Sequence, residues 1–321
     1  MRRTLIALLA LAILLPSCEK EIVVELPDAP MRYVVEGTIS PNSPPLIILT
    51  KTQSWFDPLD INAIAGIFVS GATVTVDAGS GPIALDQICS GSLTAEQIAQ
   101  AAELTGLSAD LLAAADICIY TKLDLSLLGQ IGTTYALRIE VGGETLTSTT
   151  TIPNPVPLDS LWFRLAQQQP NDDSLGFIWA RFTDPDTIGN YYRWAHRRIN
   201  LGSDGEPKDA TFIPASFSTF EDRFINGLTF DFNQNRTAAP FSSALDDENE
   251  EAGYFKRNDT VVIRFSSLGR REYDFYTSMD LNVNSQGDLF SNPANVKSNI
   301  SGGLGVWAGV ANYVDTVVCV P

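Results

Sequence analysis

The sequence predicts a mainly β protein built from two β-sandwich-like domains, with a small helical insert in the first domain and one helix in the second. Short segments rich in β-branched residues recur in both halves, separated by Gly, Pro, Asn and Asp. A segment with prolines at alternate positions divides the halves. A mature chain of roughly 300 residues also fits two domains better than one.

Residues 1–17 have the pattern of a lipoprotein signal peptide. Two arginines precede an apolar run over residues 5–15, and Pro16, Ser17 and Cys18 follow it. The run is too short to cross a bilayer of about 30 Å. We expect lipidation of Cys18, with residues 18–30 as a membrane-proximal tether, because several acyl chains hold a protein firmly to a membrane. An ordinary cleaved signal with a chance cysteine is the alternative.

The folded part of the chain is strongly acidic. The net charge is −17, and loss of Arg2 and Arg3 with the signal leaves 19 basic residues against 38 acidic ones. Binding to nucleic acid and electrostatic binding to anionic lipid are therefore not expected, since both kinds of binding need an excess of Lys and Arg. The lipid anchor is the expected link to the membrane.

The first domain is expected over residues 31–152. Its predicted strands are "RYVVEGTI", "PLIILTK", "ATVTVDAG", "TYALRIEV" and "ETLTSTTTI". A helical insert interrupts it over residues 90–117. Thr94 followed by Gln97 predicts a capping box, and Gly106 with Ser108 separates a second short helix.

Cys89 and Cys118 bracket this insert and are predicted to form a disulfide, while Cys319 stays unpaired. Two Ala-rich helices bury little apolar surface, so a crosslink would stabilise the insert by about 3 kcal/mol. A metal site is the alternative reading, but the chain has no CxxC and a single histidine. No cofactor is expected.

Residues 153–158 are predicted to be a Pro-rich linker, followed by a β-rich domain over residues 159–321. The predicted strands there are "DSLWFRLAQ", "SLGFIWARFTD", "NYYRWAHRRIN", "LTFDFN" and "DTVVIRFSSL". The segment "GRREYDFYTSMDL" has helical spacing and predicts the single helix. The chain is predicted to close with a turn-rich loop and a final hairpin.

The residues that could take part in catalysis do not form a catalytic motif, and enzymatic activity is not expected. His196 is the one histidine, and the sequence lacks a G-x-S-x-G turn. The glycines of "SGGLGVWAG" lack the spacing of a dinucleotide loop, because Gly309 comes four residues after Gly305. His196 is therefore expected to be a structural residue of a sheet.

The carboxy-terminal segment "SNPANVKSNISGGLGVWAG" is predicted to be an ordered loop with a structural or binding role. Asn299, Gly302, Gly303 and Trp307 are its candidate residues. The two glycines are expected to supply unusual backbone angles, and the Trp307 ring is expected to fix the loop in the core. A partner contact is expected nearby, on the polar side of the loop.

Two acidic segments offer oxygen ligands that could bind Ca²⁺. One contains Asp184, Asp186 and Asn190, and the other is the acidic run over residues 246–251. The EF-hand pattern is absent from both. We therefore expect solvated loops in preference to a calcium site.

Several of these motifs together resemble a family of Bacteroidota lipoproteins known as domain of unknown function 4249. The resemblance rests on the lipobox and on "RYVVEGTI", "SGATVTV", "TTIPNPVPLDSLWF", "NYYRW" and "SNPANVKSNISGGLGVWAG". It implies a lipid-anchored protein of the outer membrane, on its periplasmic or its outer face, often encoded beside TonB-dependent receptors. It implies no established activity and no catalytic residues.

The function expected from these features is that of an accessory or interaction lipoprotein that binds an outer-membrane protein such as a TonB-dependent receptor. The alternative is a cell-surface module that binds a glycan or peptide on exposed tryptophans, for which the candidates are Trp55, Trp162, Trp179, Trp194 and Trp307. A near-coplanar exposed aromatic pair would favour the alternative. A large apolar or acidic surface patch without a pocket would favour the protein partner.

Overall fold

The structure is a computed structural model that describes residues 30–53, 61–167, 174–202, 205–237, 253–284 and 295–321. The expected signal peptide, Cys18 and nearly all of the expected tether lie outside these residues. Residues 31–321 form one compact unit. No helix in the described ranges combines the length and the apolar composition needed to cross a membrane.

The described residues form sixteen strands and confirm the mainly β prediction. In chain order they are β1 (Tyr33–Ile39), β2 (Leu46–Lys51), β3 (Thr73–Asp77), β4 (Pro82–Ala84), β5 (Asp86–Cys89), β6 (Cys118–Thr121), β7 (Thr134–Val141), β8 (Glu144–Thr151), β9 (Ser160–Leu165), β10 (Leu175–Thr183), β11 (Tyr191–Arg198), β12 (Ile213–Glu221), β13 (Thr229–Gln234), β14 (Phe255–Lys256), β15 (Thr260–Leu268) and β16 (Leu304–Val318). Every strand predicted by the β-branched segments is present.

One central sheet has eight strands in the order β12-β11-β15-β16-β1-β2-β6-β5. Strand β16 pairs with β15 antiparallel and with β1 parallel, so this one strand joins the two halves of the chain. Two smaller sheets accompany it. The first has the order β4-β3-β7-β8, and the second places β10 between β9 and β13, with β14 pairing to the start of β10.

Each smaller sheet shares a hydrophobic core with one end of the central sheet. The first core combines Val35 and Leu49 with Leu137 and Ile139 of β7. Strand β7 alternates exposed and buried residues without a break, as expected for a sheet with one face on a core. The second core joins side chains of the second small sheet to β11, β15 and β16; it includes Phe163, Ile178, Phe182, Tyr192, Trp194, Ile263 and Phe265. The central sheet thus takes part in two sandwich-like packings, one with each smaller sheet.

Four helices complete the described structure: α1 (Ile61–Ile67), α2 (Ala95–Thr105), α3 (Ala109–Ala114) and α4 (Arg270–Asn284). Helix α2 begins with the predicted capping box between Thr94 and Gln97 and ends at Gly106, which has a left-handed backbone. Ser108 caps α3. The insert has its own small core around Leu112, Ala115 and Ile117. Helix α4 contacts β11, β12 and β16 of the central sheet.

The region between the halves differs from the expected linker. Val156 donates its backbone N–H to Ser267 Oγ at 3.1 Å, and Leu158 is buried in the second core. The change from the first core to the second falls near residues 153–158. The two halves are nevertheless not separate compact units, because the central sheet runs through both.

The predicted final hairpin is wrong. Residues 304–318 form one long strand, β16, which pairs with β1 along its first part and with β15 along its second. The chain does not reverse direction within these residues. Instead, β16 changes its strand partner. Such a change depends on strands far away in the sequence, so the local pattern could not reveal it.

Candidate functional site

The carboxy-terminal loop before β16 is fixed by the side chain of Asn299. Its Oδ1 accepts a hydrogen bond from Trp307 N at 2.8 Å, and its Nδ2 donates to Trp307 O at 2.8 Å. The Asn299 carbonyl accepts from Ser148 Oγ at 2.7 Å and from Arg271 Nη2 at 3.0 Å. Asn299 is buried. The loop is therefore bound to β16, to β8 and to helix α4 by one residue.

Trp307 is a core residue, as its position in the motif predicts. The side chain is fully buried, and Nε1 donates to the carbonyl of Tyr135 at 3.0 Å. The ring lies over Gly37 of the neighbouring strand, where an added Cβ would stand 2.7 Å from Trp307 Cε3. The ring thus bridges the central sheet and the first small sheet.

The two candidate glycines differ from each other. Gly302 has a φ of +83°, and a Cβ there would lie 2.5 Å from the Thr145 carbonyl oxygen. The unusual backbone angle expected at Gly302 is confirmed. The same expectation is wrong for Gly303, which has no positive φ; a Cβ at that position would approach Leu146 Cδ2 at 3.0 Å. The lack of a side chain at Gly303 therefore allows close packing against Leu146.

A buried carboxylate lies beside this loop. Glu272 Oε1 accepts from Thr150 Oγ1 at 2.8 Å and from Asn299 Nδ2 at 3.2 Å. Burial raises the pKa of Glu272, and the hydrogen bond from Thr150 opposes that shift. Thr150 Oγ1 in turn accepts from Gly309 N at 2.7 Å. This network joins β8, α4 and β16.

An open pocket of about 460 Å³ lies next to the loop. Asn299 and Ser301 form one side. Residues of β3, β4, β7, β8 and the start of α4 form the rest; they include Asp77, Arg138, Ser148 and Arg271. Arg138 pairs with Glu140 at 2.8 Å, and Arg271 is bonded to the Asn299 carbonyl. No histidine or cysteine lines the pocket. Its lining offers hydroxyl and amide groups for binding.

His196 lies in the second core, away from this pocket. The imidazole is fully buried and meets Phe255 edge to face at 5.1 Å between ring centroids. Burial lowers the pKa of His196 to about 4. Within the described ranges, no serine, threonine or cysteine side chain hydrogen-bonds to it. The geometry matches the structural role expected for this histidine.

The carboxylate expected in a solvated loop at position 184 is instead buried. Asp184 Oδ1 accepts from Tyr192 Oη at 2.6 Å, and Oδ2 accepts from Gly227 N at 3.3 Å. Asp222 accepts from Gly189 N at 2.7 Å and from Asn190 N at 2.9 Å. These carboxylates hold the β10–β11 and β12–β13 loops together. The acidic run 246–251 lies outside the described residues.

The predicted disulfide is confirmed, since Cys89 and Cys118 are bonded to each other across β5 and β6. Asp116 lies close to both sulfurs. Among the described residues, these three side chains are the one group of Cys, His or acidic residues whose atoms are close enough to share a metal ion. Two sulfurs in a disulfide are not thiolate ligands. Cys319 is unpaired and buried, and burial raises the pKa of its thiol to about 12.

No sequence motif indicates the apolar tip of the loops that Asp184 and Asp222 hold. Ile188 is 83% exposed, Phe224 84% and Leu228 53%. Ile188 directly precedes Gly189, which donates to Asp222, and Phe224 lies two residues after Asp222. The Leu228 carbonyl accepts from Asp184 N at 3.0 Å. We call these three residues the apolar tip. Their type is not unusual in a strand-rich chain, so only their exposure identifies them.

Two of the candidate tryptophans lie together on the outer face of the second small sheet. Trp162 and Trp179 are paired across β9 and β10, with ring planes 19° apart and centroids at 6.4 Å. Both are partly exposed. The Arg164 guanidinium lies 5.5 Å from the Trp179 ring centroid. Trp194 and Trp307 are buried, and Trp55 lies outside the described residues.

Comparison with known proteins agrees with the resemblance of the motifs. No curated protein matches the chain. A family model described as domain of unknown function (DUF4249) matches residues 19–315, which is nearly the whole chain. The chain therefore belongs to the DUF4249 family.

Proposed function

We propose that this chain is a membrane-anchored accessory lipoprotein of the outer membrane that binds a protein partner, with a TonB-dependent receptor as the leading candidate. The apolar tip is the observation that supports it. Ile188 and Phe224 expose most of their side chains at the end of a rigid sandwich. Contiguous exposed apolar surface marks contact sites on folded proteins, and hydrogen bonds hold the two loops that carry these side chains together.

The way the tip is held adds to this proposal. Buried Asp184 and Asp222 fix both loops through side-chain and backbone hydrogen bonds. A loop that is already ordered loses little conformational entropy when it binds, so preorganisation favours recognition. Loops carried on a rigid sandwich are also a common location for binding residues.

The anchor is tested by fractionation. In the expected outcome, Cys18→Ala moves the protein out of the membrane fraction and abolishes palmitate labelling, because the acyl chains provide the attachment. Retention of the variant in membranes washed with high salt would contradict the lipid anchor. The same cells, treated with an external protease, show which face of the outer membrane carries the protein.

The partner is tested by affinity purification of the full lipoprotein from its native membrane. We expect an outer-membrane protein to co-purify with the wild type and to be lost from the Phe224→Asp variant, because a charge at the tip opposes desolvation. Leu123→Asp is the matched control, since Leu123 is also 84% exposed but lies in the first half of the chain. Equal recovery with both variants would exclude the tip as the contact.

A glycan- or peptide-binding role is the second candidate, and the Trp162–Trp179 pair favours it. Nearly parallel, partly exposed aromatic rings on an open sheet face can pack against a flat apolar ligand surface. Intrinsic fluorescence, titrated with cell-surface oligosaccharides and with extended peptides, measures this binding. A saturable change that is absent from Trp162→Ala supports the second candidate, and an unchanged titration in that variant contradicts it.

A further inference from the structure

Two arginines lie side by side on the face of the central sheet that is turned away from the second core. Arg193 of β11 pairs with Ser266 of β15, and Arg264 of β15 pairs with Ala195 of β11. The two arginines are therefore diagonal neighbours, which in an antiparallel sheet lie roughly 7–8 Å apart. Between the two strands their direct partners are the small residues Ser266 and Ala195, while Thr219 and Val314 pair with them on the outer sides.

Each guanidinium lies over an aromatic ring. Arg193 Cζ is 3.9 Å from the ring centroid of Tyr276 on α4, and Arg264 Cζ is 4.3 Å from that of Phe212. Arg193 Nε also donates to Ser218 Oγ at 3.3 Å, and that hydroxyl donates to Asp280 Oδ2 at 2.9 Å. The rings fix the planes of both guanidinium groups while leaving edge N–H donors for another ligand.

Neither arginine has a carboxylate within 4.0 Å in the described part of the chain, whereas Arg138, Arg181 and Arg198 each have one. Burial and the nearby charge of Arg193 lower the pKa of Arg264 to about 10. Two like charges held together in partly buried positions are unfavourable in the free protein. The chain has 38 acidic residues, but none in its described part forms a salt bridge with either arginine. An anionic ligand bound between the two guanidinium groups would reduce their repulsion.

The neighbouring strand carries a second unusual feature. Thr219 pairs with Arg193 and Pro214 pairs with Ala195, so four residues of β12 stand opposite Trp194 alone. Within this bulge Phe217 has a φ of +54° and is 61% exposed. A bulky residue in the left-handed region is strained, and both bulges and strain are found at binding sites. The next residue is Ser218, which orients Arg193.

We infer that Arg193 and Arg264 form a binding site for the carboxylate group of an organic ligand. The fork of a guanidinium matches a planar carboxylate. Glu36 of β1 lies on the same side of the sheet, close enough for its charge to act on Arg193. A nearby negative charge disfavours a dianionic phosphate more than a monoanion. The exposed Phe217 side chain provides apolar surface for the carbon part of the ligand.

Arginine footprinting of the full-length protein with phenylglyoxal tests this site without a variant. In a buffer free of oxyanions, Arg264 is expected to react faster than Arg198, which is also poorly exposed and is ion-paired with Asp209, because the Arg264 guanidinium has no carboxylate partner among the described residues and its pKa is lowered. Benzoate serves as the carboxylate probe and benzyl alcohol as the uncharged control. Benzoate at about ten times its Kd should slow labelling of Arg264 about tenfold, since the free fraction falls as 1/(1 + [L]/Kd).

Substitution of the second arginine completes the test. In Arg193→Gln, we expect Arg264 to remain reactive while benzoate protection becomes several-fold weaker; Arg138→Gln is the control that should keep protection. Saturable protection by benzoate, absent with benzyl alcohol and weaker with inorganic phosphate, supports the inference. Equal effects of benzoate and benzyl alcohol, stronger protection by phosphate, or no protection at all would overturn it.

Discussion

The side chain of Asn299 pairs with the backbone of Trp307 as a neighbouring strand would, accepting from its N–H and donating to its carbonyl, both at 2.8 Å. This contact falls where β16 has a strand partner on one edge only. Residues 304–309 pair with β1, and pairing with β15 starts at Val310. Asn299 thus satisfies a buried stretch of backbone at the point where the two halves of the central sheet meet.

Replacement of Asn299 is therefore expected to be costly. Asn299→Ala leaves the Trp307 N–H and carbonyl without their side-chain partner, and unsatisfied buried backbone groups cost about 1–3 kcal/mol each. We expect a lower denaturant midpoint with an unchanged m-value. A loss below about 0.5 kcal/mol would be a typical surface effect and would show that the pairing does not stabilise the fold.

Asn299→Asp is expected to give a pH-dependent loss. The new carboxyl keeps the acceptor but loses the donor to Trp307 O, and it stands beside Glu272, whose pKa is already raised by burial. Two close carboxyls bind protons more tightly in the folded state, so the stability of the Asp variant relative to Asn299→Ala should fall as pH rises. Chemical unfolding at several pH values measures this; parallel curves would contradict the expectation.

Trp307→Ala is expected to lower stability by about 3–5 kcal/mol, because the ring is fully buried and its loss leaves a cavity between two sheets. Thermal melting should show a decrease of several degrees. Phe224→Ala is the control, since that ring is exposed. A melting temperature within about 1 °C of the wild type would show that Trp307 does not hold the core together.

Removal of the Cys89–Cys118 disulfide is expected to cost about 3.5 kcal/mol, the chain-entropy value for a sequence separation of 29 residues. The effect should concentrate in α2 and α3, whose small core adds little burial. Peptide mapping without reductant checks the pairing, and hydrogen exchange of Cys89→Ser/Cys118→Ser locates the loss. Detection of Cys319 in a crosslink with either cysteine would contradict the assignment.

His196 is expected to make stability fall at mildly acidic pH. Its pKa is lowered to about 4 in the folded protein, while an unfolded histidine titrates near 6.5. Below that value the unfolded chain binds a proton that the folded chain excludes, so stability decreases as pH falls from about 6.5 to about 4 and rises as pH is raised. The full effect is of the order of 3 kcal/mol.

The control for this prediction is His196→Gln. Burial raises the pKa values of Asp184 and Glu272, and their titration acts in the opposite direction. The difference in unfolding free energy between wild type and variant isolates the histidine, which is the only one in the chain. A difference that stays constant from pH 4 to 7 would show that His196 does not titrate differently on folding.

The local elements of this protein follow from short sequence signals, because turns, caps and strand composition act within a few residues. Segments rich in β-branched residues located strands such as β3 and β7, and the Thr94–Gln97 box with Gly106 located helix α2 and its end. The spacing of Cys89 and Cys118 around that insert predicted their bond. Trp307 was also identified as a core residue, since a large aromatic at the end of an ordered loop is most stable when buried.

Only the tertiary structure decided which distant segments meet. No local feature of residues 304–318 indicates that β16 pairs with β1 first and with β15 afterwards, so the local pattern predicts a hairpin there and two separate domains. The apolar tip and the Arg193–Arg264 pair depend in the same way on register and exposure. Register is set by pairing across large sequence separations, and exposure by what the rest of the chain leaves uncovered.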